Sequence, residues 1–164
     1  MFQAQAIENN TSKSEFYREL TSQLGSLLEG ESDAIANAAN TAALLYQLMP
    51  NLNWAGFYFL RDGKELVLGP FQGLPACVRI PVGRGVCGAA VEQRRSILVE
   101  DVHAFAGHIA CDAASRSELV VPLIGNGRIL GVLDLDSPAV GRFDAEDQAA
   151  VERIASIYVG AIAV

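Results

Sequence analysis

Positive charge is scarce in this 164-residue chain: 12 lysines and arginines stand against 19 aspartates and glutamates, a formal net charge of −7. Such a balance makes nucleic acid or an anionic membrane surface a poor partner and suits a small ligand. Long hydrophobic runs are lacking too, since no apolar stretch reaches the length of a membrane span. The opening "MFQAQAIENNTSKSE" has neither the basic nor the apolar region of a signal peptide, so the cytoplasm is the expected compartment. Cysteine is rare. There are three, an odd number with no C-x-x-C pair, which argues against a structural disulfide framework and against closely spaced zinc ligands. What is plentiful is apolar surface: 51% of residues are hydrophobic and 19% charged, the balance of one folded domain spanning 1–164.

The patterning changes character along the chain. "SKSE" at Ser12–Glu15 is a capping box that opens a helix to about Leu28. An alanine-rich helix follows, from a cap near Ser32 to Leu48. Its small residues suit close packing at home or a homodimer contact. From Asn51 the period becomes two. Strands flank the Asp62-Gly63 turn, a short strand follows around "CVRIPV", and "GVCGAAVEQ" forms a short helix over Gly85–Gln93. "SILVED" is a further strand, and Val102–Ser117 is a long loop with room for one helical turn. "SELVVPLIG" and "RILGVLDLDS" make a hairpin through "NG", and an acid-started amphipathic helix closes the chain. The sum is an α+β domain on a mostly antiparallel sheet.

In "ILGVLDLDS", residues two apart share a strand face. Leu133 and Leu135 point to a core, while Val132, Asp134 and Asp136 face the other way, with two carboxylates roughly 7 Å apart along the strand. Aspartate is depleted in strands, so this face is either solvated or a set of acceptors for a cationic group. Counting back from the "NG" turn brings Glu118 near the end of the same strand, which would gather three carboxylates at one sheet edge. On "NWAGFYFL", Trp54, Gly56 and Tyr58 share a face and could wall a pocket, the glycine leaving room for a ligand; Phe57 and Phe59 take the other face.

Each cysteine has a different setting. Cys87 lies in small, apolar "GVCGAAV" and reads as a core residue. Cys77 and Cys111 sit among turn-forming and polar residues, where a structural cysteine has less to do. Carboxylates near a thiol raise its pKa, which disfavours a thiolate hydrolase using His103 or His108 but suits attack on a sulfoxide or peroxide. "GRGVCG" lacks the lysine and the serine or threonine of a phosphate loop, so its glycines supply turn geometry and close helix packing.

Taken together, "NWAGFYFL", "LGPFQGLPACVRIPVGRGVCG", "EDVHAFAGHIACDAASRSELVVPL" and "GVLDLDSPAVGRFDAED" closely resemble the free methionine-(R)-sulfoxide reductases, which are stand-alone GAF domains. The match runs almost unbroken from Asn51 to Asp147 and includes all three cysteines. The resemblance implies a GAF-like domain, a central antiparallel sheet with helices on one side and a loop-covered ligand cup on the other. It implies reduction of free L-methionine (R)-S-oxide, with thioredoxin as reductant and no bound metal or organic cofactor. By the same resemblance Cys111 is the nucleophile, Cys77 the resolving thiol and Cys87 an accessory or alternative one. Glu118, Asp134 and Asp136 correspond to acidic pocket residues, and Trp54 and Tyr58 to the aromatic wall.

The expected chemistry is consistent with these residues. Attack by the Cys111 sulfur is easier when a carboxylic acid, Glu118 or Asp136, protonates the sulfoxide oxygen. Cys111 is left as a sulfenic acid, and Cys77 condenses with it to a disulfide that a dithiol protein reduces. The remaining carboxylates suit the ammonium group of a free amino acid. The rival is a GAF domain that binds a small molecule, or senses redox state, without turnover.

Overall fold

The structure, a computed structural model, describes residues 2–8, 11–107, 109 and 113–162. Helix α1 (Lys13–Leu28) starts at the expected capping box, with the Ser12 hydroxyl accepting from Glu15 N–H and the Glu15 carboxylate accepting from Ser12 N–H. Helix α2 (Ala34–Leu48) is capped one residue later than the sequence suggests. Asp33, not Ser32, accepts from the amides of Ile35 and Ala36 at 2.9 and 2.8 Å. A carboxylate reaches both orphan donors at once and carries the charge that a helix N-terminus favours.

Six strands follow the sequence pattern: β1 (Trp54–Arg61), β2 (Glu65–Gly73), β3 (Arg79–Pro81), β4 (Ile97–Val99), β5 (Ser117–Gly125) and β6 (Arg128–Ser137). They form one sheet in the order β3-β2-β1-β6-β5-β4, with every pairing antiparallel. At the β5–β6 turn, Asn126 and Gly127 both have positive φ (49° and 74°), as a tight hairpin turn with matching twist requires. Among its described residues the long loop contains a helical turn, as expected, a 3-10 turn at Val102–Ala104. Helix α4 (Ala145–Ala161) is capped by Asp144.

The two faces of the sheet carry separate cores. On one, α1, α2 and α4 cover Ala55, Phe57, Leu119, Val121, Leu133 and Leu135. Ala38 and Ala42 of α2 are buried in this core, so that part of the alanine face packs at home. On the other face, Trp54, Tyr58, Val120 and Val132 pack under α3 (Gly85–Gln93) and the loops around it. Three helices therefore share one side, and α3 joins the loops on the cup side. It can lie that close because Gly88 presses on the Pro81 carbonyl, where any Cβ would collide.

Candidate functional site

Strand register assembles the site. Trp54 of β1 stands opposite Asp136 of β6, which stands opposite Glu118 of β5, so the three form a row across adjacent strands. The next row is Gly56, Asp134 and Val120. The carboxylates thus share the cup face, and Leu133 and Leu135 fill the opposite core as their alternation requires. A solvated aspartate face is excluded, because Glu118 and Asp134 are each only 6% exposed. Asp136 is half-buried.

These carboxylates line a cavity of about 30 Å³ together with Trp54, Tyr58, Cys87, Ser115 and apolar groups from α3 and the loops, among them Ile109. Burial pushes the Glu118 carboxyl well above its ordinary range, and the negative charges of Asp134 and Asp136 push it further. Asp134 is raised by burial as well, but hydrogen bonds from Cys87 and Glu118 favour its ionised form. The proton of this pair therefore resides on Glu118, and Asp134 accepts. The Cys87 thiol donates to Asp134 Oδ2 at 3.2 Å. Asp134 Oδ1, although buried, has no hydrogen-bond partner.

Cys87 is therefore more than the core residue its apolar surroundings suggested. It is buried, as expected, but it also lines the cavity beside two acids. Burial and then the charge of Asp134 drive its pKa well up, so it stays a thiol and serves as a donor. Sequence spacing could not reveal this partnership, since α3 meets β6 only in the folded chain. Cys77 is disulfide-bonded and half-buried on the segment before β3. Cys111 and His108 lie outside the described residues. His103 Nδ1 sits 2.9 Å from Asp101 Oδ1 on the surface, and the ring is not among the groups that line the cavity.

The two aromatic residues do more than wall the cavity. Trp54 Nε1 donates to the Leu74 carbonyl at 3.1 Å, and the Tyr58 hydroxyl donates to the Cys77 carbonyl at 3.0 Å. Their rings lie nearly parallel, 5.8 Å apart, and both are 2% exposed. Together they fasten the segment carrying Cys77 over the cup. No local pattern announces this, because the acceptors are backbone carbonyls about twenty residues away. Gly56 departs from the expectation that it leaves room for a ligand. Its space is taken by the Trp54 ring and Phe71, against which any Cβ would collide. Ser115 is a site residue that sequence reasoning missed. It lines the cavity and accepts from Asn53 Nδ2 at 3.0 Å, tying the loop before β5 to the start of β1.

Sγ of Cys87 and one carboxylate oxygen from each of Glu118 and Asp134 lie within 4.8 Å of one another. That group could hold a metal ion, a grouping invisible to the cysteine spacing, which looks only at thiols close together in the chain.

A curled antiparallel sheet with helices on one face and a loop-covered, acid-lined cup on the other is the architecture of a GAF domain, and residues 15–163 match the GAF domain family. The relatives narrow this further. The chain is 55% identical to the free methionine-R-sulfoxide reductase of Escherichia coli over 142 residues, covering 87% of this chain and 86% of that one. It is 38% identical to the Saccharomyces cerevisiae enzyme of the same name, covering 91% and 87%. The X-ray structure of the Neisseria meningitidis free methionine-R-sulfoxide reductase with its substrate superposes with a TM-score of 0.93 at 43% identity, covering 98% and 95%. The chain belongs to the free methionine-R-sulfoxide reductase family of GAF domains.

Proposed function

We propose that this chain, like those relatives, reduces free L-methionine (R)-S-oxide to L-methionine by cysteine chemistry. The observation that carries the mechanism is a disulfide-bonded Cys77 held by Tyr58 at a cup whose floor is a proton-sharing carboxylate pair.

Cys111 supplies the nucleophile. Its sulfur attacks the sulfoxide sulfur while Glu118, kept neutral by burial and by its acidic neighbours, gives its proton to the sulfoxide oxygen. The S–O bond breaks as the new S–S bond forms, and the oxygen departs as water with the thiol proton and the Glu118 proton. Water then adds to the Cys111 sulfur, breaks the S–S bond and returns a proton to Glu118, so methionine leaves reduced by two electrons and Cys111 is left as a sulfenic acid. The Cys77 thiol condenses with it, releasing water and forming the disulfide. Two thiols of thioredoxin then reduce that disulfide and are themselves oxidised, so no bound metal or organic cofactor takes part in the cycle. Asp134 and Asp136 receive the substrate's ammonium group. Asp134 Oδ1, buried and without a hydrogen-bond partner, is the natural acceptor for it. A methionine sulfoxide inside a peptide has an amide nitrogen instead, and it would leave that oxygen unsatisfied.

The test is turnover of separately supplied (R) and (S) free methionine sulfoxide, with thioredoxin, thioredoxin reductase and NADPH, counting methionine directly. The expected result is turnover of the (R) form alone, abolished in Cys111→Ser and reduced to a single unrecycled turnover in Cys77→Ser. No methionine from either form, starting from fully reduced protein, would exclude the reductase and leave a sensor's binding cup.

A further inference from the structure

We propose that the cup is also a binding site for a thiophilic divalent cation, of which Zn²⁺ is the type, ligated by Cys87 Sγ and by one carboxylate oxygen each from Glu118 and Asp134. Three features support it. The three donor atoms lie within 4.8 Å of one another. The 3.2 Å separation of Cys87 Sγ and Asp134 Oδ2 is close to the ligand–ligand edge of a tetrahedral zinc site, about 3.5 Å from ordinary Zn–S and Zn–O lengths. Asp134 Oδ1, the second oxygen of the same carboxylate, is buried and makes no hydrogen bond, so it is an open acceptor for the water carried by the ion.

Space and charge agree with this occupant. The cavity of about 30 Å³ exceeds the roughly 10–15 Å³ needed for a single water, enough for an ion with one water as fourth ligand. Asp134 takes part in none of the ion pairs among the described residues, so its charge is not already balanced by a built-in cation. The soft sulfur and the low ligand number favour Zn²⁺ over Mg²⁺ or Ca²⁺, which take six or more oxygens. Binding displaces the Cys87 S–H proton and the proton held on Glu118, so it weakens as the pH falls. The disulfide at Cys77 leaves Cys87 as a free thiol, so the site persists in the oxidised protein. The cation would exclude substrate from the cup, a consequence that rests on the proposed function above.

The experiment uses the oxidised full chain. Co²⁺ is titrated as a spectroscopic stand-in, followed by its thiolate-to-metal charge-transfer band, and Zn²⁺ binding is measured by calorimetry. One Co²⁺ per chain with a charge-transfer band is expected. The band should be absent in Cys87→Ser, and Zn²⁺ should bind at least about tenfold more weakly to Glu118→Gln. Wild-type protein showing no charge-transfer band overturns the site without recourse to any variant, so a folding defect in Cys87→Ser cannot mask the answer. Zn²⁺ binding as tight in Cys87→Ser as in wild type also overturns it. Free methionine (R)-sulfoxide should bleach the band. A band that forms and resists the sulfoxide supports the metal site and counts instead against substrate binding in the cup.

Discussion

Two aspartates are buried among the described residues, and they live in opposite circumstances. Asp147, at the start of α4, is fully buried on the helical side. Its Oδ2 accepts from Lys13 Nζ at 2.7 Å and from the Asp144 amide at 2.8 Å; its Oδ1 accepts from Tyr17 and from Arg142, the latter at 3.2 Å. Two cations, a hydroxyl and a helix N-terminus satisfy one carboxylate. Asp134, on the cup side, has a thiol and a neighbouring acid as donors, and one oxygen with none. Burial alone therefore says little about function. A buried charge whose partners are all built in belongs to the architecture, whereas one whose partner must arrive from outside marks a site.

The largest expected effect separates the two by substitution. Asp147→Asn leaves Lys13 and Arg142 facing a neutral group, so it should destabilise the fold by about 3 kcal/mol, a fall in Tm of roughly 6–12 °C. Turnover per folded molecule should be unchanged. Glu118→Gln should do the reverse, lowering turnover roughly 10²–10⁴-fold without loss of Tm at neutral pH. Thermal melts and methionine counts on both variants check the pair. A Glu118→Gln protein as active as wild type would remove the cup's distinction.

The pH dependence of stability should carry opposite signs in the two regions. In the cup, Glu118 binds its proton more tightly folded than unfolded, its ordinary value being 4.5. That contribution is fully present below about pH 4.5 and is lost as the pH rises through the raised folded value. On the helical side, Lys13 holds Asp144 down to about 2 from 3.8, so its contribution is present above pH 3.8 and lost as the pH falls towards 2. The Tm of wild type relative to Glu118→Gln should fall with rising pH above about 4.5. The Tm of wild type relative to Asp144→Asn should fall only in acid, and by little, because Asp144 is exposed.

The smallest effects concern the aromatic fasteners. Tyr58→Phe removes one hydrogen bond to the segment carrying Cys77 and should cost about 1 kcal/mol in a denaturant melt, and Trp54→Phe, which also removes part of a buried ring, should cost more. Tyr58→Phe should in addition slow disulfide formation after a single turnover more than it slows methionine release.

Much of the frame was legible in the sequence because its signals are local. The Ser12 capping box, the Asn126-Gly127 turn and the alternation of Leu133, Asp134, Leu135 and Asp136 each carry their own geometry within a few residues. Counting back from the turn brings Glu118 near the end of that strand, and the register sets it opposite Asp136. What stayed hidden depends on contacts between distant segments. The Cys87–Asp134 bond joins α3 to β6, Tyr58 reaches the Cys77 carbonyl, and Ser115 meets Asn53. Gly56 misleads for the same reason, since its neighbour is the Trp54 ring folded back over it. Asp147 carries a helix-start signal, but nothing local points to Lys13 and Arg142 as its partners.

The proton on Glu118 is the feature from which the cup's chemistry follows, and infrared spectroscopy reads it directly. At neutral pH, wild-type protein should show the carbonyl stretch of a protonated carboxyl group. The band should be much weaker in Glu118→Gln, where Asp134, raised to about 7, still holds part of a proton, retained in full in Asp147→Asn, and altered when free methionine (R)-sulfoxide is added. No such band at neutral pH, or an undiminished band in Glu118→Gln, would contradict a carboxylic acid held ready in the cup.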